Sequence, residues 1–196
     1  ANAILAVSLA TAHAAAASYK VPLYRYLGGE GPFRLPVPFC DMLAGGSHAE
    51  SSVDFQEYLV IPSGVSSFHE ALETIASVYQ SLREVLRARG YSVLEAGGPY
   101  TPSLRSNREG VEVIAAAIEK AGYKLGKECY IGMDAATSEL YRHGRYELCG
   151  EGRTLTSKEM VDLWAEWVEA YPIASIEDGL AEEDWEGWRA LYERIG

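Results

Sequence analysis

The chain has 196 residues, 48% apolar and 23% charged, and 28 acids against 17 bases leave a net charge of −11. That length and composition suit a folded domain able to bury a core, not a disordered segment. The acidic balance argues against nonspecific binding to nucleic acid or anionic membrane, and no apolar run reaches the roughly 20 residues that span a bilayer.

The most apolar stretch, residues 1–17, is Ala-rich, lacks a basic flank and contains Asn2 and His13. It reads as a buried helix running on to Lys20, not as a signal peptide. No capping residue precedes this helix, and Gly196 directly follows an amphipathic one. Both ends are those expected of a fragment or of one domain of a longer chain. Residues 35–43 predict a short strand with an irregular start at Pro36 and Pro38. VDFQEYLVI, residues 53–61, is rich in β-branched and aromatic types and predicts a strand that ends at Pro62-Ser63-Gly64.

Apolar residues at 3–4 spacing predict an amphipathic helix over 68–89, stopped by Gly90. A Gly/Pro-rich loop covers 92–104. Ser106 and Glu109 form a capping-box pattern for a helix closed by Gly122. CYIGMD, residues 129–134, is a buried-strand candidate. Residues 141–149 predict a hairpin turning at His143-Gly144. Thr156 and Glu159 are a second capping box, for a helix through Tyr171. Residues 173–176 are another short strand, and 184–195 the last helix. Alternating strands and helices imply parallel strands with crossover helices.

Cys40, Cys129 and Cys149 are odd in number and widely spaced, with no CxxC. A complete disulfide framework is excluded, no zinc spacing is present, and a reducing cytosol is the natural compartment.

Two apolar strands end in carboxylates, Asp134 after YIGM and Glu177 after IASI. In a parallel barrel the C-terminal strand ends carry the site, and acids converging there repel unless a hard cation such as Mg²⁺ sits between them. The alternative is that each acid caps a helix or makes a local ion pair. Glu57, inside a strand beside Gln56, needs a partner or a chemical task if half-buried, and is unremarked if it faces solvent. Gly45-Gly46-Ser47-His48 is a loop whose glycines let backbone approach a ligand. His48 could transfer a proton or bond a phosphate. It is not a Walker A loop, because no GK[ST] follows. His13 is expected to pack in its helix, His69 to lie on the surface, and His143 in a turn.

ANAILAVSLATAHAAA with VPLYRYLGG, LPVPFCDMLAGGSHA, VDFQEYLVIP, IGMDAATSELY, GEGRTLTSKEMVD and YPIASIEDGLAEEDWEGW resemble, in this order, stretches of the enolase (phosphopyruvate hydratase) family. The resemblance covers nearly the whole chain. It implies an α/β fold, a partial TIM-type barrel of about four strands with their helices. Residues 1–33 would be the helix and linker leading in, and 34–196 the first half of the barrel.

The activity implied is Mg²⁺-dependent dehydration of 2-phosphoglycerate to phosphoenolpyruvate. An enolate intermediate of that reaction needs concentrated positive charge. By the same resemblance Asp134 and Glu177 match two of three metal carboxylates. His48 matches the loop histidine near the substrate, and Gln56 and Glu57 match a QE pair whose glutamate serves the acid–base network. His48 and Glu57 are thus the catalytic candidates, with His48, Gln56 and Glu57 binding substrate.

Two departures stand out. The family's GDEGG loop supplies the leaving-group glutamate, whereas this chain reads VLEAGGPYTP. Ala96 or Gly97 takes that place, and Glu95 is displaced from it. The family's asparagine before the Gly-Gly pair is Ala44. The third metal aspartate, the lysine base and the phosphate-binding residues match nothing within these 196 residues. The chain alone is therefore expected to be inactive. It is expected to act in the cytoplasm and to associate as a homo-oligomer such as a dimer, or with the rest of a barrel. The alternative is a non-catalytic enolase-like binding or scaffold protein with a decayed site.

Overall fold

The computed structural model describes residues 1–49, 53–93 and 98–196. Two units divide the chain, Ala1–Pro36 and Val37–Gly196. Among the described residues no helix is long and apolar enough to cross a membrane.

The first unit holds α1 (Asn2–Tyr19) and α2 (Leu23–Gly28). Lys20 takes a left-handed conformation that ends α1, and Pro22 precedes α2, where its fixed φ suits a helix start. The expected buried helix is corrected. Within this unit Ile4, Leu5, Val7 and His13 are exposed, so the unit does not itself supply the burial. The six residues of α2 are too few to cover a helix of about 27 Å.

The second unit runs β1 (Cys40–Ala44), β2 (Glu57–Ile61), α3 (Phe68–Ala88), α4 (Asn107–Lys120), β3 (Tyr130–Asp134), β4 (Tyr141–Arg142), β5 (Arg145–Leu148), β6 (Arg153–Leu155), α5 (Ser157–Ala170), β7 (Ile173–Glu177) and α6 (Trp185–Ile195). The main sheet has the order β1-β2-β3-β7 and does not close on itself. A second, three-stranded sheet is the predicted hairpin extended by β6, which the sequence did not announce. His143 occupies the hairpin turn at φ 50°.

Strand directions correct the all-parallel expectation. Only β3 and β7 are parallel; β1–β2 and β2–β3 are antiparallel. Between β1 and β2 lies a loop with one short helical turn and no crossover helix among its described residues, so the chain simply turns back. Between β2 and β3 lie two helices, α3 and α4. Each reverses the chain, so β3 runs against β2. A single helix, α5, returns the chain between β3 and β7, which gives the usual parallel pair.

Alternation along the strands sorts their side chains. Tyr58, Val60, Ile131 and Met133 join α3, α4 and α5 residues such as Leu82, Ile114 and Trp164 in one core. Glu57, Leu59, Gly132 and Asp134 alternate with them and take the opposite face. Helix α4 lies very close to β2, because a Cβ at Gly110 would run into the Tyr58 ring.

Ser67, Ser106, Thr156 and Asp184 cap α3, α4, α5 and α6 through their side chains. Thr156 and Glu159 make the complete predicted capping box. At Ser106 only half of it forms. Glu109 reaches past its cap to accept from Arg105 N–H and Tyr91 Oη–H.

Candidate functional site

The four strands place one row of residues across the sheet. Ala44 pairs with Glu57, Glu57 with Asp134, and Asp134 with Glu177. Asp134 and Glu177 close parallel strands, so their side chains leave the same end of the sheet. Glu57 opens its strand, and the antiparallel direction of β2 brings it to that end as well. The sequence-predicted residues Glu57, Asp134 and Glu177 are therefore brought together.

His48 joins them from the short helical turn after Gly45-Gly46. Its Nδ1 lies 3.5 Å from Glu57 Oε1. The loop is held against the segment entering β2. Gly45 N–H donates to the Gln56 carbonyl at 2.8 Å and Gly46 N–H to the Val53 carbonyl at 2.7 Å. Glycine is required here: a Cβ on Gly45 would lie 2.5 Å from the Phe55 carbonyl, and Gly46 sits at φ 51°. These bonds explain why residues 53–56, expected as strand, are not. Their carbonyls serve the loop instead of a ladder. Gln56 accepts from Ser47 Oγ–H at 3.3 Å, on the wall of a cavity of about 490 Å³ that also includes Ala136 and Cys149.

The electrostatics are those of crowded carboxylates. The Glu177 carboxyl is raised, first by the charge of Asp134, then by burial and by Asp178 and Glu57. Asp134 is raised by burial and by Asp178, against lowering by a 3.0 Å hydrogen bond from Ala136 N–H and by His48. That hydrogen bond means Asp134 does in part cap its own loop. Just beyond these strand ends, Ala136 at φ 45° and Asp178 at φ 47° hold left-handed backbone conformations rare for residues with a Cβ. Thr137 ties the two segments together, its N–H and Oγ–H both donating to the Asp178 carbonyl.

Two acids escaped the sequence reading. Asp41, on β1, is pushed up to about 7 by burial and by the charges of Glu57 and Asp134, against a backbone hydrogen bond at Leu43. Its Oδ1 is buried without a hydrogen-bond partner among the described residues. The signal available was an acid inside the apolar strand CDMLA. Asp178 adjoins Glu177 and adds to the same negative field. Ala44 sits buried at the end of β1, opposite Glu57. Glu95, Ala96 and Gly97 lie outside the described residues.

The donors suit a hard divalent ion: carboxylate oxygens, mutually repelling, with one buried oxygen left unbonded among the described residues. Asp134 and Glu177 are the two of these acids that the parallel register sets side by side. Among the described residues, no group of three or more His, Cys, Asp or Glu side chains is arranged to hold a metal by itself.

Comparison with known families gives a match described as Enolase, C-terminal TIM barrel domain, over residues 32–196. The matched span contains every residue of the carboxylate row and the loop of His48. It agrees with an α/β sheet of four strands that forms part of a barrel without closing one. The chain belongs to the family of the enolase C-terminal TIM barrel domain.

Proposed function

We propose that this chain is part of an enolase-type lyase that dehydrates 2-phosphoglycerate to phosphoenolpyruvate with Mg²⁺. The observation that carries the reading is the register of Asp134 beside Glu177 on adjacent parallel strands. In this reading Asp134 and Glu177 would hold Mg²⁺. Bound there, the ion supplies positive charge where the carboxylate of the substrate accumulates negative charge. Glu57 and His48 hold and move a proton near the departing hydroxyl, within the 3.5 Å contact between them. Gln56 orients the substrate from the neighbouring position.

The lysine base and phosphate clamp of such an enzyme match nothing in these residues, so the 196-residue chain alone is expected to be inactive. Another copy of the chain or the remainder of a barrel is proposed to cover the open edge of β7. Free Cys40, Cys129 and Cys149 fit a reducing cytoplasm. The test is an absorbance assay of phosphoenolpyruvate formation. Mg²⁺-dependent turnover by the intact protein, lost in Glu177→Gln and missing from residues 1–196 alone, is the expected result. Turnover by residues 1–196 alone would refute the claim of inactivity.

A second reading is a non-catalytic enolase-like scaffold. It is favoured by Ala96 or Gly97 standing in place of the leaving-group glutamate. Calorimetry separates the two. A scaffold gives no heat with Mg²⁺ or phosphoenolpyruvate, and an intact protein that binds neither would end the lyase reading.

A further inference from the structure

Asn107 and Asp54 are a deeply buried polar pair beside the site, at 1% and 8% exposure. Burying such groups is costly unless each is hydrogen-bonded, and here they are bonded to one another, to Phe55 and Tyr58, and to Gly150 and Glu151. Asn107 Oδ1 accepts from Asp54 N–H at 2.7 Å and Phe55 N–H at 3.3 Å. Its Nδ2–H donates to Asp54 Oδ2 at 2.9 Å. The Asn107 carbonyl accepts from Tyr58 Oη–H at 3.0 Å. Asp54 Oδ1 accepts from Gly150 N–H at 2.7 Å.

Helix α4 does not need this side chain. Ser106 already caps it, and Glu151 accepts the Asn107 N–H at 2.8 Å. The Asn107 side chain serves the other partner. It grips the chain at Asp54 and Phe55, its carbonyl grips Tyr58, and the two residues between these grips are Gln56 and Glu57. The carbonyls of Val53 and Gln56 then fix Gly46 and Gly45, and so the loop of His48.

We propose that Asn107 is a positioning residue: through Asp54 it sets the bend over residues 54–56 that leads into Glu57, and thereby the approach of Glu57 to His48. The inference rests on the reading of Gln56, Glu57 and His48 as site residues, but its readout needs neither Mg²⁺ nor 2-phosphoglycerate. Failure of the lyase assay therefore leaves it standing, and its own failure leaves the lyase reading standing.

The test is ¹⁵N NMR of the intact protein labelled in histidine, comparing wild type, Asn107→Asp and the double variant that exchanges the two side chains, Asp54→Asn with Asn107→Asp. The Glu57 carboxylate, 3.5 Å from Nδ1, polarises the His48 ring, so the ring ¹⁵N shifts report the separation of the two side chains. Asn107→Asp alone sets two carboxylates against each other and should move the His48 ring shifts towards those of free histidine. The exchange restores every donor and acceptor. The amide now at position 54 donates to the carboxylate at position 107 and accepts from Gly150 N–H, so the wild-type shifts should return. His13, His69 and His143 should be unchanged throughout. Should Asn107→Asp not fold, Asp54→Asn alone removes the same charge-assisted bond and should move His48 in the same direction. Wild-type His48 shifts in the folded single variant, or a folded double variant that fails to restore them, would overturn the proposal.

Discussion

Glu57 and Asp134 sit directly opposite each other although one is the first residue of its strand and the other the last. An antiparallel pair makes this possible, and it puts an acid from a strand's beginning among acids from strand ends. The site is a row across the sheet, and its members repel.

That repulsion predicts how the protein answers to Mg²⁺. Without the ion, Glu177→Gln should be no less stable than wild type, because the carboxylate it removes is opposed by Asp134. With Mg²⁺ at 100 times its dissociation constant, mass action should stabilise wild type by about 2.7 kcal/mol and the variant by much less. Thermal unfolding with and without the ion checks both. A midpoint for wild type that ignores Mg²⁺ would contradict the ligand assignment.

In the intact protein, Glu57→Gln should lower kcat by roughly 10²–10⁴-fold, the usual worth of a positioned acid–base group. KM for 2-phosphoglycerate should change far less. Steady-state kinetics read the two separately, and an unchanged kcat would remove Glu57 from the chemistry.

Gly110→Ala should destabilise the fold. The new methyl gains helix propensity but strikes the Tyr58 ring, and overpacking of this kind costs about 1–3 kcal/mol. A lower urea midpoint with an unchanged slope is the expected result. A gain in stability would mean that α4 can back away from β2.

Asp184 gives the chain an acid sensitivity away from the site. Burial alone would raise its carboxyl, but hydrogen bonds from Ser157, Tyr146 and Gly187 N–H outweigh that and hold it low. A carboxyl lowered by folding adds stability above its unfolded pKa of about 3.9, and that stability is lost as pH falls through the folded value. Asp184→Asn should cost about 1–2 kcal/mol at neutral pH. The gap from wild type should narrow as the solution is acidified below about pH 4. Urea unfolding across the acid range measures it, and a gap independent of pH would reject the charge as its source.

Helices α3, α4 and α5 were legible because apolar spacing is a local signal, with Ser106 and Thr156 as caps; α3 and α5 fall within a residue or two of the pattern, whereas α2, in the expected linker, was not read as a helix. The carboxylates Asp134 and Glu177 were legible as acids ending apolar strands. The direction of β2 has a signal too, since two helical patterns stand between VDFQEYLVI and CYIGMD, but strand–helix alternation on its own implies parallel pairing throughout. The irregular entry to β2 was not legible. It is held by the Gly45 and Gly46 amides and by Asn107, about fifty positions away, whose bonds leave no trace in local composition. Asp41 was hidden for a similar reason, because only pairing with β2 shows which neighbours its carboxyl meets.

The helix pair α3–α4 also limits how this part of the barrel could be remodelled. Removing either helix alone would deliver β3 at the opposite rim, separating Asp134 from Glu57 and His48 by the length of a strand. Removing both, or inserting two more, would leave the acids in place. Natural insertions or deletions between β2 and β3 that preserve the chemistry are thus constrained by parity: whole helices should come and go there only in twos.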